Sequence, residues 1–120
     1  MNNLQVYHAF WSGFGLPAYD ENSVPDDAKM PYITYEAFDG FFGDRRQISA
    51  SLWYRSQSWV EITKKEKEIA DAIGRGGRYI DCDGGAIFID RGQPWAQRMG
   101  DASDDSIRRV VLTIEVESIL

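Results

Sequence analysis

Cysteine occurs once in this 120-residue sequence, at Cys82, which excludes an intrachain disulfide framework and any multi-cysteine zinc site. Nothing therefore demands an oxidising compartment, and cytosolic synthesis is the expectation. Histidine is as scarce. A Ser-His-Asp or Cys-His arrangement would have to be built around His8 alone, which sits beside the apolar stripe of a candidate helix and reads as a packing residue. Positive charge is short as well: 13 Lys and Arg stand against 19 Asp and Glu, a net −6. That balance disfavours nonspecific phosphate binding, whose affinity comes from cations releasing counterions. No apolar run approaches the roughly 20 residues needed to span a bilayer, and the start lacks the basic, apolar, small-residue order of a signal peptide. Neither membrane nor secretion is expected.

Apolar material is plentiful. Hydrophobic residues make up 43% and aromatics 13%, with four Trp, enough for a packed core and too much for a disordered chain. The length fits one domain over residues 1–120, able to bury roughly two-thirds of its unfolded surface. There is no internal repeat and no low-complexity segment.

Asn2 or Asn3 can cap a first helix, whose apolar residues Leu4, Tyr7, Trp11 and Phe14 recur at three- and four-residue steps beside Phe10. Gly13 and Gly15 stop it. Residues 16–31 are acidic and contain Pro17, Pro25 and Pro31, so they read as an extended connection pinned by Leu16, Tyr19 and Val24. Two alternating runs follow. YITYEAF sets Ile33, Tyr35 and Ala37 against Tyr32, Thr34 and Glu36; RQISASLWYRS sets Ile48, Ala50, Leu52 and Tyr54 against Ser49, Ser51, Trp53 and Arg55. They predict a hairpin turning through Gly40, Gly43 and Asp44.

Ser58 with Glu61 matches a capping box that opens a second helix. Trp59, Ile62, Ile69 and Ile73, with Val60 and Ala70, form its stripe, and the Lys64 to Glu68 run reads as a solvated face. Gly74, Gly76 and Gly77 follow the helix and read as its end, not as a phosphate cradle, which needs a strand-to-helix turn. RYIDCDGGAIFIDRG predicts two short strands turning at Asp83, Gly84 and Gly85.

Near the C-terminus, Val110, Leu112, Ile114 and Val116 alternate with Arg109, Thr113, Glu115 and Glu117, the pattern of a half-buried strand. The preceding residues 94–106 keep no period and carry Pro94, Trp95, Arg98, Met99, Asp101, Asp104 and Asp105. They read as a long loop with a candidate functional surface. The elements together predict an α+β fold: a mainly antiparallel sheet of four to five strands with two helices packed on it.

Chemistry-bearing groups do not assemble into a motif. Asp81 and Asp83 flank Cys82 and offer its thiol no activating cation, so that residue reads as structural. Asp81, Asp83, Asp90, Asp101, Asp104 and Asp105 lack the ordered ligand series of a calcium loop. No catalytic, cofactor or metal site is expected. A carboxylate-dependent hydrolase is the enzyme alternative, and it requires acids converging in a concave pocket. The remaining signal is the aromatic and charged mixture around Trp95 and Met99, of the kind enriched at protein interfaces; the other reading of Trp95 is that it plugs the end of the core.

Three long stretches, FWSGFGLPAYDENSVPDDAKMPYITYE, QISASLWYRSQSW running into EITKKEKEI, and PWAQRMGDASDDSIRRVVLTIEVE, together cover most of the chain. They resemble the tail terminator, or tail completion, proteins of long-tailed phages and prophages of Gram-positive bacteria, often labelled minor capsid proteins. The resemblance implies a non-enzymatic α+β protomer that forms a six-membered ring at the neck end of the virion tail. Its expected partners are further copies of itself, the tail tube protein and a head-tail connector protein, with genomic DNA only as passing cargo. Another head-tail joining protein, such as a head closure component, is the nearest alternative; a binding module for a host factor is a further one. Ring contacts would be heterologous, with Asp20, Glu21, Asp26, Asp27, Asp101, Asp104 and Asp105 facing Arg45, Arg46, Arg55, Arg98, Arg108 and Arg109. The interface candidates are accordingly Trp95, Arg98, Met99, Asp101, Asp104, Asp105, Arg108, Arg109, Arg45 and Arg46. Arg98→Glu and Trp95→Ala are expected to block assembly and leave the fold intact.

Overall fold

The computed structural model describes residues 1–37 and 45–119. The elements run α1 (Asn3–Ser12), β1 (Ala18–Asp20), β2 (Tyr32–Tyr35), β3 (Arg45–Arg55), α2 (Val60–Ile73), β4 (Arg78–Cys82), β5 (Gly85–Asp101) and β6 (Asp104–Ile119). They build one six-stranded sheet in the order β1-β2-β3-β6-β5-β4. The expected sheet of four to five mainly antiparallel strands is thereby corrected to a mixed sheet of six, while two helices accompany it as anticipated. The extra strand is β1, which pairs parallel with β2 through Ala18↔Ile33 to Asp20↔Tyr35. Three residues between Pro17 and an acidic turn are too short to carry a period of two, and only the partner strand makes them a strand. The turn expected between β2 and β3 lies outside the described residues, but the antiparallel pairing Tyr32↔Trp53 to Tyr35↔Ala50 is present.

One sheet face is the core face. Ile33, Ile48, Ala50, Leu52, Ile87, Ile89, Val110, Leu112, Ile114 and Val116 are buried there with Tyr7, Trp11, Ile62, Ile69 and Ile73 from the helices. Each fully buried aliphatic side chain contributes about 1.5–3 kcal/mol of transfer free energy. α1 is capped by Asn2 in a full capping box with Gln5, which satisfies two first-turn donors reciprocally. Its buried face is Val6, Tyr7 and Trp11, with Phe14 buried just past its end; Leu4, expected in the stripe, is 46% exposed. Edge-to-face rings link Tyr7 to both Trp11 and Tyr35, the geometry that aromatic quadrupoles favour.

α2 buries Ile62, Ile69, Ala70 and Ile73. The predicted capping box is not formed: Ser58 Oγ accepts from Val60 N–H at 3.1 Å, whereas Glu61 lies 3.6 Å from Lys64 Nζ instead of reaching back. Val60 is 57% exposed, so the stripe is narrower than its hydrophobicity implies. Gly74, Gly76 and Gly77 take positive φ after α2. Gly77 has a second reason to be glycine, since a Cβ there would stand 2.5 Å from Phe88 Cζ.

The largest departure from expectation is residues 94–106, which are not a long loop. β5 and β6 form one long hairpin, paired from Ala86↔Ile119 to Asp101↔Asp104. Between Arg91↔Ile114 and Ala96↔Leu112 the chain takes five steps along β5 and two along β6. This bulge takes in Gln93 and Pro94, where a residue without an N–H costs no ladder bond. Beyond it, residues 96–103 are exposed. A strand with neither face buried keeps no hydrophobic alternation, which is why the sequence pattern disappears there.

Candidate assembly surface

The distal half of β5 runs past the end of β4, which pairs only with Gly85 to Ile89. Its register places Ala96 and Arg98 opposite Leu112 and Val110 on the helix-covered face, and Gln97 and Met99 opposite Val111 and Arg109 on the other. Trp95 is half-buried against the core, and its Nε1–H donates to Glu66 Oε1 of α2 at 2.5 Å. Arg98 lies over the Trp59 ring, 4.9 Å from its centroid, and Arg108 lies 5.3 Å from the same centroid. Guanidinium groups favour the negative ring face. Arg98 also reaches Thr63 Oγ1 at 3.5 Å, and Arg108 donates to Gln57 O at 3.1 Å and to Asp105 O.

These contacts edge an open hollow of about 410 Å³, lined by Trp59, Val60, Thr63, Lys64, Lys67 and Arg98. Trp59 and Val60 supply its apolar lining, and Lys64, Lys67 and Arg98 bring three cations to it. The α2 half of this surface was not among the sequence candidates. Its signal was Val60, an apolar residue in the first turn beside a lysine run that reads as ordinary solvated helix.

The opposite sheet face carries a second set. Arg109 lies 4.5 Å from the Trp53 ring centroid, and Trp53 Nε1–H donates to Thr34 Oγ1 at 2.9 Å. Tyr32 and Tyr19 continue the aromatic row. Met99 is 44% exposed and joins Trp53, Ile107 and Arg109 around a smaller hollow of about 270 Å³. Farther along the face, Arg45 pairs with Glu115 at 3.5 Å and lies 5.0 Å from the Phe88 centroid. Arg46 is exposed, in register with Val116.

At the hairpin tip, the Asp101 carboxylate accepts from Ser103 N–H and Oγ–H at 2.8 and 2.7 Å. Asp104 repeats the arrangement with Ser106 at 2.9 and 2.6 Å and adds an ion pair to Arg55 at 3.1 Å. The Ser103 hydroxyl and amide hold the Asp101 carboxyl below its usual range; the Ser106 hydroxyl and amide, then Arg55, do the same for Asp104. Asp105 is exposed beside them. The ten sequence candidates thus occupy the tip and both faces of the sheet. Only Trp95, Arg98 and Arg108 converge on α2 and its leading Trp59.

His8 bonds Tyr35 OH through Nδ1 at 2.7 Å and lies 3.3 Å from Ser12 Oγ through Nε2. Cys82 is half-buried and its thiol donates to Asn3 Oδ1 at 3.0 Å. Among the described residues no group of three or more His, Cys, Asp or Glu is placed to share a metal ion, and no helix is long and apolar enough to cross a membrane.

The fold defines the chain as an α+β protein in which a mixed six-stranded sheet carries two helices and extends into a long hairpin. That fold is shared with a chain from the virion of a native gene transfer agent particle: the TM-score is 0.60 at 15% identity, over 94% of this chain and 84% of that one. No family model matches the sequence, and no curated protein matches it.

Proposed function

We propose that the chain is a structural protein of a phage-like virion, and within that class a tail terminator. In this role it forms a ring, six-membered by resemblance, that caps the completed tail tube, stops its growth and presents the surface on which the filled head docks. The observation that carries the reading is the agreement in fold with a gene transfer agent virion chain across nearly the whole length. The three sequence stretches that resemble tail terminators supply the finer assignment. The protein acts by binding, without catalysis, and its partners are its own copies, the tail tube protein and a head-tail connector protein.

The surface chemistry suits a ring. Heterologous closure needs two different patches on each protomer, and the helix-covered face at β5 and the aromatic face at Trp53 are chemically distinct. The net charge of −6 suits a passage for DNA, because a strongly basic lumen would retain phosphates and slow transit.

Deletion of the gene from its phage, with tail length measured by electron microscopy, tests the assignment. Overgrown tails are expected. Normal tails with leaky, unjoined heads would replace it by a head closure protein, and intact infectious particles would overturn the structural reading. Native mass spectrometry over a concentration series checks the ring, for which a six-copy species is expected.

A further inference from the structure

The geometry points to a specific protomer-to-protomer joint: the acidic 20–27 segment of one copy docks in the hollow between α2 and β5 of the next. This inference rests on the ring reading above and names the two surfaces that close it.

The hollow is built for an apolar group carried between negative charges. Trp59 and the 57% exposed Val60 form its apolar part, and Lys64, Lys67 and Arg98 surround it. Among the described residues Lys64 is engaged only by an exposed contact to Glu61 at 3.6 Å, a weak pair on a helix surface. Arg98 is already oriented by its stacking on Trp59, so little side-chain freedom is lost when a carboxylate meets it. An apolar surface open to water beside three cations is unlike a solvated charged helix face, and that contrast distinguishes this part of α2 from the rest of the helix.

The 20–27 segment, DENSVPDD, has the complementary pattern. Asp20 with Glu21 and Asp26 with Asp27 flank Val24 and Pro25, and no cation interrupts them. Glu21, Pro25, Asp26 and Asp27 are exposed, and Val24 is half-exposed. The segment is held in shape by its own backbone: Glu21 N–H donates to Tyr35 O at 2.9 Å, Ser23 N–H to Asp20 O at 2.8 Å and Ala28 N–H to Pro25 O at 3.0 Å. None of the ion pairs among the described residues uses Glu21, Asp26 or Asp27. A preshaped turn loses less entropy on docking than a free segment would.

The two features lie on different flanks. The 20–27 segment continues from β1, the first strand in the sheet order, and the hollow adjoins β5, with β2, β3 and β6 between them. Four strand spacings amount to about 19 Å along the sheet. Different patches on different flanks of one protomer are what a head-to-tail contact requires, and repetition of such a contact closes a ring. The acidic pairs against the three cations set the register of the joint, and Val24 over Trp59 and Val60 supplies the desolvated centre.

Directed cross-linking tests the joint without requiring tight association. In a Cys82→Ser background, a tagged Val24→Cys chain is mixed with an untagged Val60→Cys chain under mild oxidation. The mixed disulfide is expected to form at least about tenfold faster than either homodimer, and to slow by a similar factor in Lys67→Glu/Arg98→Glu chains, because like charges would then oppose across the joint. Asp26→Lys/Asp27→Lys introduced into the Val24→Cys chain should restore the rate with that charge-reversed hollow. Circular dichroism melts check that each variant is folded. No preference for the mixed pair, or insensitivity to both charge reversals, overturns the joint. If a six-copy ring or overgrown deletion tails are nevertheless observed, the terminator reading stands with a different interface; if the joint forms but tails are normal, the assembly survives and the terminator reading falls.

Discussion

Trp95 Nε1–H donates to Glu66 Oε1 across 2.5 Å, joining the last residue of the β5 bulge to the middle of α2. The residue that reads in sequence either as an interface anchor or as a plug at the end of the core is a half-buried strut between two elements. Trp95→Ala is therefore expected to cost about 2 kcal/mol of folding stability, through lost packing and an orphaned carboxylate partner. Glu66→Ala should cost about 1 kcal/mol. Urea denaturation of the two single variants and the double variant measures this, and a double-variant loss equal to the sum of the singles would show that the pair is uncoupled. Trp95→Ala is thus expected to weaken the fold as well as the surface.

Gly92 lies against Thr113 on the neighbouring strand. A Cβ at residue 92 would stand 2.5 Å from Thr113 Cγ2 and 3.2 Å from both Thr113 Cβ and its carbonyl oxygen. Gly92→Ala is expected to destabilise by about 1–3 kcal/mol, the usual cost of overpacking. Thr113→Ser removes the nearest clashing atom and should recover part of that loss in the double variant. Thermal unfolding distinguishes recovery from simple addition of two penalties.

Acid should loosen the hairpin tip before the core. The Asp101 and Asp104 carboxyls are held below their ordinary value of 3.8 by hydrogen bonds from Ser103 and Ser106. A depressed folded pKa means that the unfolded chain takes up the proton first. The contribution is thus complete above that ordinary value and disappears as pH falls below it towards the folded value. Protection of the Ser103 and Ser106 amides, taken relative to intrinsic exchange at each pH, should fall in this window, and Asp104→Asn should flatten the Ser106 response.

Alkali should act through the core. Burial pushes the Tyr7 hydroxyl well above its usual 10.0, and burial also raises Tyr35 and Tyr54. Here the unfolded chain releases its proton first, so the contribution is complete below the unfolded value and is lost progressively as pH rises above it towards the folded value. Tyr7→Phe removes one such group and should give a shallower loss of stability above pH 10, read as urea midpoint against pH.

Much of the fold was legible because burial leaves a period. β6 alternates Val110, Leu112, Ile114 and Val116 against half-exposed neighbours, β3 sets Ile48, Ala50 and Leu52 on the same buried face although Ser51 between them is buried too, and Ile62, Ile69 and Ile73 mark the buried side of α2. Local capping and turn chemistry likewise act over a few residues, so a cap at Asn2 or Asn3 and the glycines after α2 could be read, although the box expected from Ser58 and Glu61 does not form.

Sequence by itself thus determined an α+β composition with two amphipathic helices, a half-buried C-terminal strand, a negative net charge and a single cysteine. Only the tertiary structure decided that residues 18–20 are a strand, that residues 94–101 continue β5 as one arm of a hairpin, and that Trp95 is a strut. The physical reason is common to all three. A strand borrowed from its partner's hydrogen bonds, or exposed on both faces, has no hydrophobic alternation of its own, and an aromatic side chain does not reveal which neighbour it meets. The hollow at Trp59, Val60, Lys67 and Arg98 was hidden for the same cause: its two halves lie 31 residues apart between Lys67 and Arg98, and the pairing of β5 with β6 carries one to the other.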